Sequence, residues 1–142
     1  MDEASVLAPT LEVASDWLSE IAAHTGCDAD MAFAVLRATL HALRDRLGDD
    51  DAVALAQDLP ALIRGLWFEG WQPHRVSGRD RTLDDWLITL EGHLLAADAD
   101  AVPARRAAKA VLSLLGRHLA PDARQRLDAQ LPSELAALVD GA

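Results

Sequence analysis

Apolar residues return every three or four positions along almost the whole chain, which is the period of one face of an α-helix. Leu11, Ala14, Leu18 and Ile21 mark a first helix, with Trp17 beside the stripe. Thr10 follows Pro9 and suits a helix cap, so residues 1–9 read as a loose lead-in. The helix is expected to stop near His24, because Gly26 follows. Ala32, Val35, Leu36, Thr39, Leu40, Leu43 and Leu47 give a second stripe, capped by Asp28. Asp49, Asp50 and Asp51 suit the positive end of a short third helix, which turns Ala52, Leu55 and Ala56 inward. Pro60 fits the first turn of a fourth helix, where its missing N–H costs nothing. Leu62, Ile63, Leu66 and Trp67 are its expected buried side, and Gly70 ends it.

Residues 72–81 contain Pro, Ser, Gly and charges without a period, and read as a linker. The helical pattern then resumes. Thr82 with Asp85 forms a variant capping box, and Leu83, Leu87, Leu90 and Leu94 make the next stripe.

This return is an internal repeat. A shift of 69 carries Asp16-Trp17-Leu18 onto Asp85-Trp86-Leu87 and His24 onto His93. A shift of 72 carries Leu40, Leu43 and Leu47 onto Leu112, Leu115 and Leu119, and Leu59-Pro60 onto Leu131-Pro132. The three-residue difference falls in one loop, where insertions are tolerated. The expectation is an all-α chain of about eight helices. Residues 1–142 form a single domain, with one four-helix repeat over about 10–71, the linker, and a second repeat over about 82–140. Both pack on a shared core about a pseudo-two-fold axis.

Charge narrows the function. The chain has 23 acidic and 13 basic residues, a net charge of −10. Nucleic-acid binding rests on clustered Lys and Arg, so it is not expected. Residues 1–73 hold 13 acids and 4 bases, so nearly all the net negative charge sits in the first half. That half is suited to a basic partner or to the second half of another copy. Cys27 is the sole cysteine, so no internal disulfide forms. No apolar run is long enough to span a bilayer, and the first residues lack a signal pattern. A cytoplasmic protein without membrane attachment is expected. Twelve of the 13 basic residues are Arg and Ala is abundant, a bias that points to a GC-rich bacterial genome.

Candidate chemistry is sparse. His24, Cys27 and Asp28 lie close in sequence, but zinc needs three or four ligands and the second repeat keeps only His93. His24 and His93 meet only if the repeats bring them together across the axis; otherwise each suits the last turn of its helix. Asp16 and Asp85 hold early helix positions, and no phosphate-binding glycine loop occurs. Basic residues gather twice, at His74, Arg75, Arg79 and Arg81 and at Arg105, Arg106 and Lys109. Trp67 and Phe68 point about 100° apart on a helix, so Trp67, Phe68 and Trp71 cannot share one core face. Surplus aromatic surface there is a contact candidate.

The motif Leu59-Pro60, Ile63, Leu66-Trp67, the following Gly70-Trp71-Gln72-Pro73, the Arg-containing linker and the shorter Gln130-Leu131-Pro132-Ser133-Glu134-Leu135 resemble a family of small bacterial all-helical proteins. That family is known only as domain of unknown function 2267, and the resemblance covers about residues 10–140. It implies a duplicated helical fold and brings no activity or site residues. Val102-Pro103-Ala104 departs from the family pattern at the start of the sixth helix.

Taken together, the expected function is a non-enzymatic module for protein–protein interaction or self-association. It has no cofactor, and Trp67, Phe68, Trp71, Arg75 and Arg79 are its contact candidates. The alternative is a small-molecule binder or enzyme with a pocket between the repeats at His24 and His93.

Overall fold

A computed structural model describes residues 3–74, 82–131 and 133–139. Among them the chain forms eight helices and no strand: α1 (Glu3–Thr25), α2 (Ala29–Arg44), α3 (Asp49–Ala56), α4 (Ala61–Phe68), α5 (Leu83–Ala96), α6 (Ala104–His118), α7 (Pro121–Gln130) and α8 (Ser133–Val139). None of them is long and apolar enough to cross a membrane.

Local chemistry sets most of the ends. The Asp28 carboxylate accepts the Met31 N–H at 2.8 Å, and the Thr82 hydroxyl accepts the Asp85 N–H at 3.1 Å. Each satisfies one of the donors that a helix start leaves unpaired. Gly26 closes α1 at φ 74° with its N–H on the Ala22 carbonyl, a left-handed cap that glycine adopts without steric cost. Asp98 takes the same role after α5 at φ 55°. There the Ala99 N–H bonds Leu94 and the Asp98 N–H bonds Leu95, the two bonds of a Schellman cap.

The start of α1 differs from expectation. Thr10 is not a cap, and the helix runs through Pro9 from Glu3. Pro9 is exposed and stands in the second turn. There the lost N–H bond lies near a helix end and costs less than in a buried interior.

A contiguous core draws side chains from all eight helices. α1 packs on α2, as α5 packs on α6; α2 packs on α5, as α6 packs on α1; α4 lies on α2, as α8 lies on α6. The positions paired in sequence are buried on both sides: Leu40 and Leu112, Leu43 and Leu115, Leu47 and Leu119, Leu55 and Leu127, Leu59 and Leu131. Trp17, expected beside its stripe, is buried in the core, its ring 5.2 Å from His118. Leu11 and Leu62 depart the other way. Both were expected to face inward, and they are 57% and 45% exposed. The α1 stripe outruns the elements that cover it, and α4 buries only Ile63 and Trp67 deeply.

Trp86 ties the two halves. α2 tightens at its end, where the Arg46 N–H bonds Leu43, and this leaves the Ala42 carbonyl without its usual partner. The buried Trp86 indole N–H donates to that carbonyl at 3.2 Å. Trp86→Phe keeps most of the ring and removes the donor. A buried carbonyl left unpaired costs about 1–3 kcal/mol, and urea denaturation followed by circular dichroism is expected to show a loss of that size. An unchanged midpoint would contradict the assignment.

Candidate functional site

α4 has eight residues, too few to hold a helix by itself. Side chains from its neighbours hold it in place. The Arg44 guanidinium, only 4% exposed, donates through Nη1 to the carbonyls of Trp67 at 2.9 Å and Glu69 at 2.6 Å. Its Nε donates to the Asp45 carboxylate at 2.9 Å. One turn earlier, His41 Nε2 lies 2.7 Å from the Leu66 carbonyl. A carbonyl only accepts, so Nε2 carries the proton. The last carbonyls of α4 are therefore capped from α2, and the cation sits at the negative end of the helix dipole. Arg37 pairs with the Glu69 carboxylate at the surface. At the other end of α4, Arg64 caps α3, donating to Ala56 at 2.8 Å and Leu59 at 3.0 Å. The Trp67 indole N–H donates to Ala52 at 3.0 Å.

Held this way, α4 forms one wall of an apolar groove of about 190 Å³. Ala14 and Leu18 of α1, Phe33 and Leu36 of α2, and Leu62, Ile63 and Leu66 of α4 line it, and every one is apolar. Phe33 and Leu62 stand at its mouth, 43% and 45% exposed. Leu11 continues the α1 face one turn before Ala14.

The contact candidates fall into three places. Trp67 has no exposed surface and belongs to the core. Phe68 and Trp71 are half-buried, pack on the core and meet each other with ring centroids 5.4 Å apart. Arg75 and Arg79 lie outside the described residues. His24 and His93 line different depressions. His93 faces one of about 200 Å³ between α2 and α5, with Arg37, Ala38 and His41. His24 faces another with Pro103, Arg105, Arg106 and Lys109. The half-buried Cys27 thiol lies 2.9 Å from the Thr25 hydroxyl, which donates to Ile21 at 2.7 Å. The thiol is thus the donor of the first pair. Among the described residues no three of His, Cys, Asp and Glu group as metal ligands.

Sequence reasoning missed the groove and the Arg44 clamp. Arg44 did leave a signal: it follows Leu36 and Leu40 at steps of four, a charge on a buried stripe. Leu11, Phe33 and Leu62 left none, because an apolar residue at helical spacing looks the same covered or uncovered.

Burial pushes the His41 imidazole below its ordinary 6.5, with Arg44 and Arg37 adding to the effect. The Leu66 carbonyl and Glu69 pull the other way and lose. Both folded and unfolded chains hold this group neutral above 6.5. Below 6.5 the unfolded chain takes up the proton first, so stability falls with pH until the folded chain also titrates. Urea midpoints are expected to drop from pH 7 to pH 5, and to drop less in His41→Gln, which keeps an N–H donor and cannot titrate. Equal drops in both proteins would refute this role.

No curated protein matches the chain. The family model described as "Uncharacterized conserved protein (DUF2267)" matches residues 14–138, which include every residue that lines the groove and forms the clamp. The chain belongs to the DUF2267 family.

Proposed function

We propose that this protein is a non-enzymatic interaction module, and that its groove receives a basic amphipathic helix from a partner protein. The observation that carries this reading is the groove between α1, α2 and α4, all apolar and open at Phe33 and Leu62. Small-molecule sites run to roughly 300–1,000 Å³ with a few converging polar groups. This one is smaller and has no polar lining residue. It suits one or two apolar side chains delivered by a helix, in the helix-in-groove mode.

Charge selects the sign of the partner. The groove is built entirely by the half that holds 13 acids against 4 bases. Asp30 is exposed one turn before Phe33, and Glu12 and Asp16 are exposed on α1. A helix with Lys or Arg flanking its apolar stripe matches both the groove and its surroundings. Phe68, the last residue of α4, and Trp71 just past it add half-buried apolar surface.

A labelled amphipathic Leu/Lys helix of 18 residues and its Leu/Glu counterpart give the test, read by fluorescence anisotropy. The basic peptide is expected to bind, and the acidic one not. Phe33→Glu and Leu62→Glu are expected to weaken binding at least tenfold without lowering thermal stability, because both positions are exposed. Each substitution adds a negative charge, so attraction by charge alone would strengthen binding instead. Binding that survives both substitutions, or failure of the basic peptide to bind, would defeat the proposal. A dimer in light scattering that Leu62→Glu splits would make a second copy the occupant and would also defeat it.

A further inference from the structure

A second surface has the opposite character. His24, from the last turn of α1, and Arg105, Arg106 and Lys109, from the start of α6, line one depression of about 430 Å³ together with Pro103. Three of the 13 basic residues of a chain with net charge −10 thus converge on one hollow. Their own acids do not neutralise them. Arg105 has only Asp84, at 4.0 Å, and both side chains are largely exposed. No ion pair involves Arg106, Lys109 or His24 among the described residues. The arrangement also runs against helix electrostatics. α2, α3, α5, α7 and α8 carry acids in their first turns; α4 and α6 carry none, and α6 alone of these two places two adjacent arginines there. Positive side chains at a helix start repel the dipole, and a bound anion would reverse that cost.

We infer that this depression binds the phosphate group of a small phosphorylated molecule. Arg guanidinium presents a planar fork that matches phosphate oxygens two at a time, and Arg105 and Arg106 supply two of them. Lys109, one turn further on, adds a point charge. The depression is shallow and open, and its volume is within the size range of small-molecule sites. Its ligand and the groove's helix occupy different residues, so the two proposals stand or fall separately.

Titration of the ¹⁵N-labelled protein with inorganic phosphate, against sodium chloride at matched ionic strength, tests the inference. Saturable shifts are expected at the amides of 104–106 and at His24. The double substitution Arg106→Gln, Lys109→Gln is expected to weaken phosphate binding at least tenfold while leaving the melting temperature unchanged. Shifts that chloride reproduces, or that persist in the double variant, would overturn the site. Two further arms separate the sources of negative charge. Binding of a poly-glutamate peptide at these residues without phosphate binding would point to an acidic protein instead. Co-sedimentation with phosphatidic-acid vesicles that depends on the two residues would point to a lipid headgroup. Either result would overturn the small-molecule assignment.

Discussion

The buried guanidinium of Arg44 is the constraint on which the surface of this protein depends. Removing a charge from water costs several kcal/mol unless partners replace the lost hydration. Here Asp45 and the carbonyls of Trp67 and Glu69 replace it. Those carbonyls belong to the end of a two-turn helix that would not persist alone. The charge is stable because α4 is present, and α4 stays because the charge is present. His41 and Trp67 extend this mutual support to α2 and α3. The groove follows from it, since Leu62, Ile63 and Leu66 reach α1 and α2 only while α4 lies in this position.

The two halves are held to each other by different means. Trp86 inserts a hydrogen bond from α5 into the end of α2. On the far side, Arg117 and His118 of α6 reach Glu20 of α1 at 2.7 and 3.4 Å. Burial pushes the Glu20 carboxyl up, and the hydrogen bonds and charges of Arg117 and His118 outweigh it and bring it below 4.5. This pair is partly exposed, so its contribution is modest. The apolar core does most of the joining. The result is a body with an apolar groove on its acidic half and a basic depression where α1 meets α6.

Much of this was legible in the chain and some was not. Asp28 and Thr82 announced their helices because a cap is local chemistry, decided within four residues. The stripes of α2 and α5 announced their buried faces because those helices are covered along their length. Leu11 and Leu62 misled, since periodicity names the apolar face and is silent on whether a neighbour covers it. Thr10 misled because a proline inside a helix is costly in general and tolerable at an exposed end. The two histidines match in sequence, yet one ends beside α6 and the other faces α2. Their separation depends on how helices pack, and no local pattern encodes that. Arg44 could have been noticed as a charge on an apolar stripe. Its carbonyl partners could not, because they come from 23 and 25 residues further along the chain.

The most direct measurement compares Arg44→Met with Arg37→Met by urea denaturation and native-state hydrogen exchange. Both remove a positive charge near α4, but only Arg44 is buried. Arg44→Met is expected to cost about 2–4 kcal/mol, from stranded carbonyls and a broken buried pair. It should also strip protection from the α4 amides. Arg37→Met is expected to cost less than about 1 kcal/mol, as exposed ion pairs do. Equal stability of the two variants, with α4 still protected in both, would contradict the account.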